Sequence, residues 1–223
     1  MKGKLIVIEG TDGSGKKTQT QLLYNKLKEQ GLNVIKINYP RYNLPSSVLV
    51  KKYLSGEFGS NPSLVDPKIA SSLYAFDRLF SYMTEWKSHY ENGGIIIADR
   101  YATANFVHQA GKLMHNLEER DKLLQWLDKL EYEEHKIPRP NKVFFLDLPP
   151  KVCLDLMKNR VNKFSGKEEK DIHETYSEFN LNSYNNACDL AEKFNWIRIN
   201  CFNNKLKTPE EIHCEIFNEL KKD

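Results

Sequence analysis

The run Gly10-Thr11-Asp12-Gly13-Ser14-Gly15-Lys16 constrains the fold of this chain more than any other stretch. It follows the apolar segment Leu5-Ile6-Val7-Ile8 and opens a helical pattern from Lys16 to Gln30, with Leu22, Leu23 and Leu27 to one side and Gly31 as C-cap. Glycines at such a junction let the backbone curl so that successive N–H groups point inward, and the helix N-terminus adds partial positive charge. Lys16 then reaches the outer phosphates of a nucleoside triphosphate. A glycine-rich turn without a ligand is the alternative, and the flanking strand and helix weigh against it. The next position usually holds Ser or Thr, whose hydroxyl helps bind magnesium. Here it is Lys17, with Thr18 one residue later. A protonated lysine cannot ligate a metal and brings a second cation beside the phosphates.

Two further apolar runs, Ile95-Ile96-Ile97-Ala98 and Val143-Phe144-Phe145-Leu146, are continuous rather than alternating, as in strands buried on both faces of a parallel sheet. Weaker candidates at Val34 to Tyr39 and Trp196 to Asn200 bring the strand count to five. Helical stretches lie between them, including Ile69 to Glu91, and a last helix opens at Thr208-Pro209-Glu210-Glu211 with a capping box and a first-turn proline. This alternation predicts an α/β chain with helices on both faces of the sheet. The stripe Phe76, Leu79, Phe80 and Met83 is expected to be helix core, with a dimer surface as the alternative.

The 33 basic residues nearly balance 30 acidic ones, which argues against a nucleic-acid coat or a polybasic membrane binder. No apolar run approaches a membrane span, and the first residues lack the shape of a signal peptide, so a cytoplasmic location is expected. The four cysteines are too scattered for a zinc or disulfide framework.

Phosphoryl transfer to a small molecule needs cations around the acceptor, an acid near the metal and an element that excludes water. Asp99-Arg100 ends the strand that begins at Ile95, at the carboxyl edge where such sheets bind ligands. Arg41 follows the Val34 strand. Tyr74 and Arg78 lie one turn apart on one helix face. Alone, that pair reads as core and surface; beside a phosphate loop it reads as contacts to a ring-shaped ligand. The charged, glycine-containing stretch Asn162 to Asp171 is either a solvated loop or a closing element.

The segments Ile8-Glu9-Gly10-Thr11-Asp12-Gly13-Ser14-Gly15-Lys16, Tyr74-Ala75-Phe76-Asp77-Arg78 and Asp99-Arg100-Tyr101 occur in the order and spacing of thymidylate kinases, which the chain resembles through most of its length. Deoxynucleoside kinases tend to carry Glu-Arg-Ser in place of Asp99-Arg100-Tyr101, and an acidic base where this chain has Arg41. A carboxylate suits a hydroxyl acceptor, whereas arginine suits a phosphate.

The resemblance implies a P-loop NTPase fold, one kinase domain over 1–223 with a lid around 161–172, and transfer from ATP with Mg2+ to dTMP by a homodimer. It implies that Gly10 to Thr18 hold ATP, that Asp12 meets the acceptor sugar, and that Arg41 and Arg100 bind the acceptor phosphate. Asp99 acts near the metal. Tyr74 stacks on the base, Arg78 and Asn105 meet its edge, and Gln109 lies one turn on. His108 stands where an aromatic ring usually packs against the sugar. Arg160 joins Lys16, Asp99 and Arg100 as catalytic, with Lys163, Lys167 and Lys170 as further lid cations, because the loop's Gly13-Ser14 offers no arginine. A nucleotide-binding protein with weak or lost catalysis is the competing reading, motivated by Lys17.

Overall fold

The computed structural model of the chain describes residues 2–157 and 177–222. The lid segment 161–172 and Arg160 lie outside these residues. Five parallel strands, β1 (Lys4–Glu9), β2 (Val34–Asn38), β3 (Ile95–Asp99), β4 (Lys142–Asp147) and β5 (Ile197–Asn200), form one sheet in the order β2-β3-β1-β4-β5. The expected α/β architecture is therefore present. Because β1 is central, with Ile8 opposite Asp99 on one side and Phe144 on the other, the loop after it opens at the middle of the carboxyl edge.

The central strands β1, β3 and β4 are apolar on both sides because each face has its own cover, whereas the edge strands β2 and β5 alternate and leave Lys36 and Arg198 exposed. Ile6, Ile8, Ile97, Phe144 and Leu146 pack with α1 (Lys16–Glu29) and the carboxyl-terminal helix (Pro209–Leu220). Leu5, Val7, Ile96 and Ala98 face Tyr39, Tyr82, Trp86 and Tyr101. A third cluster joins α5 (Thr103–Gly111), α6 (Leu117–Asp128) and the helix Ser177–Lys193 around Phe106, Leu124, Phe145 and Leu190. Local signals hold where the chemistry is local: the Thr208 capping box forms with Glu211, and Gly31 ends α1 at φ 74°. The short hairpin of Phe202–Asn203 with Lys205–Leu206 has no periodic pattern that announces it.

The stretch read as one helix from Ile69 to Glu91 is α3 (Pro67–Ser81), a π turn (Tyr82–Trp86) and α4 (Lys87–Glu91). A second π turn, Lys129–Glu134, follows α6. The expectation that Phe76, Phe80 and Met83 are core is wrong: they are 61%, 48% and 55% exposed, and only Leu79 of that stripe packs against the sheet-facing cluster. The interior side of α3 is instead built from small and polar residues, Ala70, Ser71, Ala75, Asp77, Arg78 and Ser81. A helix that buries charge needs partners for it, and those partners define the candidate site.

Candidate active site

The phosphate loop is shaped by its glycines. Gly13 (φ 85°) sits so close to the α7 segment (Pro150–Met157) that a Cβ would lie 2.7 Å from the Cys153 carbonyl oxygen, and Gly15 (φ 90°) caps α1 in a left-handed conformation. The chain thus turns tightly directly ahead of α1. Lys16 is buried and donates from Nζ to the Thr11 carbonyl at 2.7 Å, arching over the loop. Ser14 is also buried, while Lys17 and Thr18 are exposed.

Glu9 closes β1 beneath this loop and is fully buried, accepting hydrogen bonds from the Gly10 amide (3.0 Å) and Thr103 Oγ1 (2.7 Å). Burial pushes its carboxyl pKa up, against the opposing pull of Arg100, Thr103 and Lys16. Sequence reading passed over Glu9, although an acid ending an apolar strand directly before a glycine loop was a visible signal.

Arg100 follows β3 at φ 66°, a left-handed conformation uncommon for a residue with a Cβ and one that gathers at functional sites. Its Nη2 donates to Asp12 Oδ1 at 2.8 Å, and its Nη1 meets His108 Nε2. Burial pushes the guanidinium pKa down, but the charges of Asp12, Glu9 and Asp99 outweigh that and raise it. Asp12, Asp99, Arg100 and His108 are thereby one cluster beside the loop. His108 also reaches Ser183 Oγ through Nδ1 (3.2 Å) and stacks on Phe179.

Arg41 stands apart, after β2 at the same sheet edge. Its amide donates to Asp77 Oδ2 (2.8 Å), and its Nη2 donates to Glu85 Oε1 (2.5 Å) in the first π turn. Glu85 in turn accepts from Ser81 Oγ (2.5 Å). Burial raises the Glu85 pKa, and the hydrogen bonds from Arg41 and Ser81 prevail and lower it. Arg78 is held by Glu131 of the second π turn, with side chains 2% and 0% exposed. Burial lowers its pKa, but the Glu131 charge and hydrogen bonds raise it more. Tyr74 is half-buried, with its ring edge-on to Tyr53 of α2 (Val48–Leu54). Lys112, at the end of α5, ties the Tyr53 region down by donating to the Val65 carbonyl (2.9 Å) and to Tyr53 Oη (3.4 Å); burial lowers its pKa to about 7. Asn105 is buried beside Arg78, and the buried Gln109 leaves its Oε1 without a partner among the described residues. Asp77, Glu85 and Glu131 were not foreseen as partners of these arginines.

The family model for thymidylate kinase matches residues 8–212. The chain belongs to the thymidylate kinase family. Among named relatives, the thymidylate kinase of Plasmodium falciparum (isolate 3D7) is 28% identical over 222 residues, covering 99% of this chain and 91% of the relative. The probable thymidylate kinase of Thermococcus gammatolerans is 29% identical, covering 96% and 94%. That of Mycobacterium tuberculosis (strain ATCC 25618 / H37Rv) is 27% identical, covering 73% and 74%. The chain is thus a phosphotransferase, and the binding-only and deoxynucleoside kinase readings are not favoured.

Thymidylate kinases use ATP and a divalent metal. The residues here fit both. The glycine turn at the α1 N-terminus and the buried Lys16 suit a triphosphate. Asp99, at the end of β3 beside Arg100, suits magnesium, which keeps its waters and leans on one or two carboxylates plus phosphate oxygens. Among the described residues, no helix is long and apolar enough to cross a membrane.

Proposed function

We propose that the chain moves the γ-phosphoryl group of ATP to the 5′-phosphate of dTMP, giving dTDP and ADP, with Asp99 placed to hold Mg2+ through its waters. The observation that carries this reading is the pair of arginines, Arg41 and Arg100, which follow β2 and β3 at the carboxyl edge of the sheet where the phosphate loop opens. Bound ATP and magnesium supply the activated phosphoryl group and charge neutralisation. The chain's own residues position and orient. Lys16 shifts from the Thr11 carbonyl to the phosphates. Asp12 holds Arg100 in place while accepting from the sugar hydroxyl, and Arg41 exchanges Glu85 for the acceptor phosphate. Tyr74 stacks on the base, with Arg78, Asn105 and Gln109 at its edge and His108 beside the sugar. Arg160 is the proposed lid cation. No covalent enzyme intermediate is needed, since alignment and charge stabilisation suffice.

An ADP-release assay across dTMP, dUMP, AMP, GMP, CMP and thymidine tests the reading. The expected order places dTMP first and thymidine at background. Faster turnover of thymidine than of dTMP overturns it, because arginines then face an acceptor that has no phosphate.

We propose further that the active form is a homodimer joined through the exposed side of α3 and the π turn that follows it. Ile69, Phe76, Phe80 and Met83 together form an apolar strip that a water-facing helix has no reason to keep. Light scattering of Phe80→Glu is expected to report monomer where the parent chain gives dimer. An unchanged mass removes this face from consideration.

A further inference from the structure

Behind the proposed base pocket lies an ion pair that phosphoryl transfer itself does not require. Glu131 accepts from Arg78 through Nε at 3.3 Å and through Nη2. A counter-charge alone would end there. Glu131 Oε1 also accepts from Asn105 Nδ2 at 3.5 Å, and the same amide nitrogen donates to the Ser71 carbonyl at 3.0 Å. One buried carboxylate therefore grips both residues that face the base edge, and it does so from a π turn, an irregularity that recurs at functional sites.

The grip has a chemical polarity. Asn105 cannot turn its amide over without setting its carbonyl against two acceptors, Ser71 O and Glu131 Oε1, so Oδ1 is the end left for a ligand. Nε and Nη2 of Arg78 are occupied, so Nη1 is the donor left beside it. An acceptor next to a donor matches the N3–H and O4 of a 4-oxo pyrimidine. A 4-amino pyrimidine offers an N3 acceptor and an amino donor, and clashes with both groups. A site built on such pairing rejects the wrong ring strongly because its own buried groups are left unpaired.

We infer that Glu131 is a positioning residue that sets this polarity, and through it the preference for 4-oxo over 4-amino pyrimidine monophosphates. The inference rests on Arg78 and Asn105 meeting the base, as proposed above.

The test is steady-state kinetics of the full chain with dTMP, dUMP and dCMP. Glu131→Gln is expected to raise KM for dTMP and dUMP at least about tenfold, to leave kcat within about threefold, and to lower the dTMP/dCMP ratio of kcat/KM at least about tenfold. Should Glu131→Gln fail to fold, Glu131→Asp decides: it keeps the charge opposite Arg78 but withdraws the carboxylate from Asn105, and the ratio is again expected to fall. A folded Glu131 variant whose ratio matches the parent overturns the inference. Asn105→Ala separates the two levels. If it raises KM for dTMP while the Glu131 variants keep the ratio, only the role of Glu131 falls. If it leaves KM within twofold, the base-contact reading falls and the inference with it.

Discussion

Lys16→Met is expected to lower kcat/KM for ATP-dependent phosphorylation about 10³-fold, a loss of about 4 kcal/mol of transition-state stabilisation. The size follows from what the side chain does. Lys16 is buried at the base of the loop, so its ammonium acts in a poorly solvated space where a charge interaction is worth far more than in water. Methionine has a similar length and fills the same channel, so packing survives while the cation is lost. The loop amides and the α1 N-terminus still bind phosphate, and nucleotide affinity is expected to fall much less than turnover. Isothermal titration with ATP alongside the ADP-release assay separates the two. Turnover within tenfold of the parent would show that another cation carries the developing charge, with the exposed Lys17 the first to examine.

Trp86→Ala is expected to cost about 3–5 kcal/mol of stability. For a domain of this size that lowers the melting midpoint by roughly 10 °C. Trp86, the last residue of the π turn, is fully buried against the sheet, ring edges of Tyr82, Tyr90 and Tyr101 surround it, and its Nε1 donates to Tyr39 Oη at 3.0 Å. Truncation opens a cavity and strands the Tyr39 hydroxyl, which donates onward to Ser81 Oγ (3.2 Å), the residue that supports Glu85 and so Arg41. Calorimetry measures the stability term. KM for dTMP at a temperature where the variant is folded measures the second effect, and it is expected to rise. A midpoint lowered by less than 3 °C would mean the cavity collapses fully.

What was legible in the sequence was what short-range chemistry specifies. A glycine run between an apolar strand and a helix admits few conformations, and Leu5 to Ile8 or Ile95 to Ala98 can be apolar throughout only if both faces are covered. The sheet, Lys16 in the loop and Asp99-Arg100 at the carboxyl edge follow from such signals, whereas Asp12 as a site residue came only with the family resemblance. The partners of the arginines do not follow from short-range signals. Glu131 lies in Lys129-Leu130-Glu131-Tyr132-Glu133-Glu134, which by composition is a solvated helix end, and its burial depends on Arg78, 53 residues earlier. Phe76, Phe80 and Met83 were read as core because helical spacing marks an apolar side without saying what lies against it.

The first π turn settles a matter of phase. Arg78, Tyr82, Trp86 and Tyr90 follow one another at four-residue steps and all stay buried. In a regular α-helix each such step overshoots a full turn by about 40°, so three of them swing the last side chain about 120° away from the first. The wider π turn absorbs that overshoot and keeps the aromatic column facing the sheet. A helical wheel drawn without interruption from Pro67 to Glu91 therefore places Tyr90 on the wrong side. A relative one residue shorter within 82–86 would keep the same column with a regular α turn in place of the π turn, because eleven α-helical steps return to within about 20° of the starting face. The π turn is thus where this helix takes up an extra residue without turning its far end away from the sheet.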